Sequence, residues 1–210
     1  MLYENQDRVV STWAGTDDTP ESGDWSPSNP AGMVQLTAYV YDDDGVGDGN
    51  LTQVTQYPGG SAYPRVTQYF FDWRNQLVAT KSGVQETENT ATNRPISYTV
   101  YDNLGQAVEQ QLYDGDQVTL SMEDGVPQAP SESLLRALTL SFYDEQGRAY
   151  KSQTFSVDPA TGDVSTVPNQ ILIAFFTKLK MYGFWRGEGL FAELLRILEN
   201  HGATRLGGSA

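Results

Sequence analysis

The densest run of metal-binding atoms in the chain is Asp42-Asp43-Asp44-Gly45-Val46-Gly47-Asp48-Gly49-Asn50. Carboxylates separated by glycines can wrap a hard cation in oxygen ligands, so Asp42, Asp44 and Asp48 form a candidate calcium site. The spacing departs from an EF-hand, which needs oxygen ligands at alternate positions and a distant glutamate. The competing reading is a solvated insertion in a hairpin turn. Other chemistry has little to work with. His201 is the single imidazole and cysteine is absent, which removes His-based triads, multi-His metal centres, thiolate sites and disulfides. A glycosidase-like acid pair would need two carboxylates, but 27 Asp and Glu guarantee close pairs by chance. The chain therefore reads as non-catalytic, with no cofactor.

The remaining composition narrows the partners. Thirteen Lys and Arg against those 27 acids leave a formal net charge of −14 over 210 residues. A phosphate-backbone binder needs a basic face, so nucleic acid is not an expected partner. The longest apolar stretch, Ile171 to Trp185, is broken by Lys178 and Lys180 and is too short to span a bilayer as a helix. The opening residues, MLYENQDRVVST, are polar and do not read as a signal peptide. Charge divides unevenly: residues 1–170 carry 8 basic and 24 acidic groups, net −16, and residues 171–210 carry 5 and 3, net +2.

The acids have a period. LYENQDRVV, VYDDDG, FFDWRNQLV, VYDNLGQAV and FYDEQGRAY align on an aromatic anchor at Tyr3, Tyr41, Phe71, Tyr101 and Tyr143. The anchors are 38, 30, 30 and 42 residues apart, so a constant unit is separated by variable insertions. An acid always follows the anchor: Glu4, Asp42, Asp72, Asp102 and Asp144. Four positions after the anchor stands Asp7, Asn75, Gly105 or Gly147, residues that tolerate left-handed backbone angles. The second copy reaches its equivalent, Gly49, only across a four-residue insertion. A short carboxylate at a turn start can bond the backbone two residues on, so each unit reads as a tight turn.

Strands must flank such turns. Residues before the anchor alternate: Leu36, Ala38, Val40; Val66, Gln68, Phe70; Ile96, Tyr98, Val100; Leu138, Leu140, Phe142. Hydroxyl and ring residues fill the intervening positions, and period two means strand. Return strands follow, as in QAVEQQLY and RAYKSQTF, and a further hairpin is predicted at SVDPATGDVSTV. GTDDTPESGDWSPSNPAG, PGGSAYP, SGVQETENTATNRP and DGDQVTLSMEDGVPQAPSES read as loops. The fold class is all-β, stacked antiparallel hairpins in an open curved sheet.

Tyr143-Asp144-Glu145-Gln146-Gly147-Arg148 is the fullest copy of a pattern that resembles the YD-repeat (Rhs) family. The resemblance covers residues 2–165 through five degenerate copies, with Arg kept at Arg8 and Arg148. It implies hairpins that spiral into a β-shell, commonly in secreted or cell-envelope proteins, some of which enclose a variable C-terminal toxin. Five copies cannot close a shell, so it also implies a fragment whose partners are further repeats of a longer chain. A cell-surface protein or carbohydrate is the other partner it suggests.

The sequence divides into a hairpin region, 1–168, and an apolar, partly helical tail, 169–210. Leu190, Leu194, Ile197 and Leu198 fall at helical spacing, predicting a short helix between Glu188 and Asn200. Three readings of the tail stay open: a helix docked on the sheet, a sequence unrelated to the repeats, or a vestige of the variable region. The functional expectation is a structural scaffold piece. The alternative is a module binding carbohydrate or protein through the acidic loops or the rings Tyr39, Tyr41, Tyr69, Phe71, Tyr101 and Tyr143.

Overall fold

The structure, a computed structural model, describes residues 1–4, 7–42, 49–84 and 94–173. It is an all-β protein. The strands are β1 (Leu2–Tyr3), β2 (Val9–Gly15), β3 (Met33–Tyr41), β4 (Leu51–Gln56), β5 (Arg65–Phe71), β6 (Leu77–Val84) and β7 (Pro95–Tyr101). There follow β8 (Ala107–Asp114), β9 (Met122–Glu123), β10 (Val126–Pro127), β11 (Leu135–Tyr143), β12 (Ala149–Val157) and β13 (Val164–Ile173). Eleven of them form one antiparallel sheet in chain order, with β8 next to β11. The short β9–β10 hairpin lies in the β8–β11 insertion as a separate two-stranded ribbon. Among the described residues the single helical element is a 3-10 turn, Glu132–Leu134.

Local chemistry explains this order. Each long strand is rich in Val, Thr, Tyr and Phe, which suit a pleated, half-buried surface. The pleat sends alternate residues to opposite faces, and the register lines up the residues of each face across the strands. Phe70 lies opposite Ala79, Ala79 opposite Tyr98, Tyr98 opposite Gln111, Gln111 opposite Leu138, and Leu138 opposite Phe155. On the other face Thr99, Gln110, Thr139 and Thr154 form a continuous row, with the Thr139 and Thr154 hydroxyls 3.2 Å apart. The hairpin at SVDPATGDVSTV is present as β12–β13. Its turn closes by the Asp158 N–H bonding the Asp163 carbonyl at 2.9 Å and the Gly162 N–H bonding the Asp158 carbonyl at 2.8 Å.

The core sits on the first face. Ala79, Ile96, Tyr113, Leu120 and Leu135 are buried together, with Phe70, Tyr98, Val118, Leu134 and Val157 packed against them. Two of these, Val118 and Leu120, come from DGDQVTLSMEDGVPQAPSES, expected above to be a loop. That expectation is corrected: the insertion folds over the sheet as a lid and supplies apolar side chains. Its Gly/Pro/Asp content masked four apolar residues, Val118, Leu120, Met122 and Val126, and β10 packs on β5 and β6. Gly115 permits the descent, since a Cβ there would stand 2.2 Å from the Arg94 carbonyl oxygen.

The chain divides into two compact units, Met1–Ala174 and Phe175–Ala210, and all the described residues belong to the first. The expected boundary between residues 168 and 169 falls inside β13, whose rungs with β12 extend to Lys151 opposite Ile173. The charge break there is a change of composition inside one strand. The helix expected between Glu188 and Asn200 lies outside the described residues, as do Asp44 and Asp48. None of the described helices is long and apolar enough to cross a membrane.

Candidate functional site

The recurrent turns stand in a row along one end of the sheet, and three of them share one bonding scheme. Asp72 Oδ1 accepts the N–H groups of Arg74 and Gln76, both at 2.9 Å. Asp102 Oδ1 accepts those of Leu104 and Gln106 at 2.8 and 2.9 Å. Asp144 Oδ1 accepts those of Gln146 and Arg148 at 2.9 Å. In each turn the acid's own N–H bonds the carbonyl four residues on: Gln76, Gln106 or Arg148. The fourth position after each anchor takes a left-handed angle, φ +63° at Asn75, +78° at Gly105 and +74° at Gly147. One extra residue on the return strand then makes a bulge, so Phe71, Tyr101 and Tyr143 lie opposite Leu77, Ala107 and Ala149.

The first two turns vary the scheme. Glu4, longer by one methylene, ion-pairs with Arg8, and Asp7 takes the left-handed position at φ +59°. In the second, the Asp42 N–H bonds the Asn50 carbonyl at 2.9 Å, four residues further on than in the others. Gly49, at φ +90°, donates its N–H to Asp42 Oδ1 at 2.6 Å. Asp42 Oδ2 accepts from Arg8 at 3.0 Å, so both carboxylate oxygens are engaged within the fold. Desolvation pushes the Asp42 carboxyl up, but the Arg8 bond and the Gly49 N–H outweigh it and hold the group below its ordinary value. Among the described residues no cluster of three potential ligands gathers for a metal. The other two calcium candidates lie outside those residues, as noted.

The anchor rings tie neighbouring hairpins. Tyr41 donates its hydroxyl to the Val9 carbonyl at 3.2 Å, Tyr101 to Leu77 at 3.0 Å, and Tyr143 to Ala107 at 2.9 Å. The acceptor is each time the residue opposite the preceding anchor. Phe71 has no hydroxyl to give, and Tyr3 donates its hydroxyl to Met1 Sδ at 3.6 Å. Burial raises the Tyr101 hydroxyl above its ordinary value, with the Asp72 charge adding to it, which keeps it a donor. Turn-to-turn bonds run the other way, from each turn to the next: Arg8 to Asp42, Asn50 Nδ2 to Asn75 Oδ1 at 2.7 Å, and Arg74 Nη1 to the Asp102 carbonyl at 3.2 Å.

Comparison with known proteins gives no assignment. No family model matches the chain, and no curated protein does. A crystal structure of a protein of unknown function from Bacteroides fragilis aligns over 78% of this chain and 93% of that one, at 11% identity and a TM-score of 0.20. A superposition that loose carries no argument about fold or role.

A second polar set escaped the sequence reading. Under the lid, Lys81 Nζ donates to the Val118 carbonyl at 2.5 Å, Arg94 Nε to the Gly83 carbonyl at 2.9 Å, and the Tyr98 hydroxyl to the Pro127 carbonyl at 2.8 Å. Arg94 also faces Asp116 at 3.4 Å, and both cations are buried. Lys81 thus gives its charge to a lid carbonyl, and Arg94 bridges the end of β6 and the lid carboxylate Asp116. The residues closing each turn, Arg8, Asn50, Gln76, Gln106 and Arg148, were visible as a column of N–H-bearing side chains. The YD pattern accounts for only its two arginines.

Proposed function

We propose that this chain is a non-catalytic scaffold segment, a stack of YD-type hairpins from a secreted or cell-envelope protein whose partners are further repeats. The observation that carries this reading is how the recurring groups are spent. The turn acids Asp42, Asp72, Asp102 and Asp144 accept backbone N–H groups, and three anchor hydroxyls hold the neighbouring hairpin. A residue that recurs because every junction needs it is a structural residue, and its repetition needs no ligand. The YD pattern, the acid-after-ring column and the secreted setting implied by the resemblance support the same reading.

A second reading has its own observation. Tyr39 and Tyr69 lie on the hydroxyl-rich face, half-buried, and among the described residues neither hydroxyl is hydrogen-bonded. Rings beside rows of threonine hydroxyls suit stacking on sugars, so a carbohydrate-binding module is the alternative. A glycan array probed with the full chain, its β signal verified by circular dichroism, separates the two. The scaffold reading expects no saturable binding. A saturable signal lost in Tyr39→Ala and Tyr69→Ala would replace it with the binding reading.

A further inference from the structure

All four junctions between successive YD hairpins share one register. Running the paired rungs out to the turns sets each anchor opposite the last turn residue of the hairpin before it: Tyr41 by Arg8, Phe71 by Asn50, Tyr101 by Gln76, Tyr143 by Gln106. At three junctions a tyrosine hydroxyl then reaches the carbonyl one residue further on. At β4–β5 the same position is Phe71, which brings no donor to the matching carbonyl of Leu51.

The β4–β5 junction is thinly held in other ways. Its four rungs, Gln53 opposite Gln68 through Gln56 opposite Arg65, are joined by the exposed Asn50–Asn75 bond between its turns, whereas the three rungs of β6–β7 are backed by the buried Ala79, Lys81 and Ile96. The β2–β3 junction, by contrast, has the Arg8–Asp42 ion pair and the Arg8 guanidinium 4.5 Å over the Tyr41 ring. The core also lies wholly on one side, since every member of the apolar cluster falls between Phe70 and Val157. Among the described residues before β5, those buried are Ser11, Thr52 and Thr55. The lid rests on β5 and β6.

We propose that the β4–β5 seam is a built-in release point. There the first two hairpins, Met1–Gln56, part from the sheet as one unit while β5–β13 stays paired. Local openings span free energies from near zero to the global value, and the cheapest one breaks the fewest buried contacts. Opening here breaks the four rungs and the Asn50–Asn75 bond, leaves the apolar core and lid intact, and bares the edge of β5.

Native-state hydrogen exchange on the full chain, followed by mass spectrometry across a denaturant series, tests this. Amides of β3 and β4 exchange together, at lower denaturant than those of β7 and β8. Phe71→Tyr supplies the missing hydroxyl and slows exchange in β3 and β4 about fivefold, the ratio given by one hydrogen bond of about 1 kcal/mol, while β7 and β8 keep their rates. Equal protection of β3–β4 and β7–β8 in the wild type overturns the proposal. So does a Phe71→Tyr variant that slows every strand alike or none. If that variant does not fold, the wild-type ranking decides alone.

Discussion

In β2–β4 the residues withdrawn from water are Ser11, Thr52 and Thr55, whereas in β6–β11 they include Val78, Ala79, Ile96, Tyr113 and Leu135. Both regions share the inter-hairpin register and the acid that opens each turn, so the repeat itself does not account for the difference. The insertion between β8 and β11 does. It occurs once, and it turns one stretch of the apolar face into a two-layer core. Elsewhere Leu36 and Val34 stay largely in water, at 44% and 61% exposure. Repeated ties give a stack its order, but burial needs a second layer.

The contrast breaks most readily at the core. Ile96 is fully buried, and Ile96→Ala is expected to cost about 2–5 kcal/mol, lost transfer energy plus a cavity. Leu36→Ala, at the matching inward position of β3, is expected to cost under about 1 kcal/mol. Urea titration followed by circular dichroism reads both. Comparable costs would mean the N-terminal strands have a core of their own.

Next in size is the turn carboxylate. Asp72 is 3% exposed, and Asp72→Ala strands the Arg74 and Gln76 N–H groups together with the Arg74 guanidinium. A loss of about 2–3 kcal/mol is expected, because hydrogen bonds to a charged acceptor are lost from a buried site. Glu4→Ala, at the equivalent position of the first turn, removes a more exposed ion pair with Arg8 and is expected to cost under about 1 kcal/mol. If the two variants melt alike, the equivalence of the five turns is real in energy as well as in geometry.

How much of this was legible in the sequence follows from range. Turns and strands are local, set by an acid, a residue tolerant of positive φ and a period of two, and these show in any aligned copy. The four-residue offset of the second copy could be read from Gly49 alone. The lid was not legible, because its folding depends on a carbonyl offered to Lys81 from 37 residues away. Gly115 looks like any loop glycine until Arg94 is seen to lie against it. Nor could the tyrosine ties be read. Tyr and Phe serve alike as strand rings, and only the register shows that a hydroxyl at 41, 101 or 143 meets a carbonyl.

The smallest effect is one of pH, and it separates a tie within a turn from a tie between hairpins. Asp144 is held below its ordinary value of 3.8, first by the Arg148 guanidinium and then by the Arg148 N–H, against a partial desolvation. Asp42 is held below it as well, by Arg8 and Gly49 against desolvation. A carboxyl depressed by folding contributes its stability in full above the unfolded value and loses it as pH falls through the folded one. The melting temperature is therefore expected to be flat above about pH 5 and to fall below about pH 4. Asp144→Asn and Asp42→Asn each flatten part of that slope. Only Asp42→Asn also speeds exchange at neutral pH in both β2 and β3, because Arg8–Asp42 spans two hairpins whereas Arg148–Asp144 stays inside one. Equal exchange in the two variants would reduce Arg8 to a local partner of Glu4, leaving the Tyr41 hydroxyl as the hold between the first two hairpins.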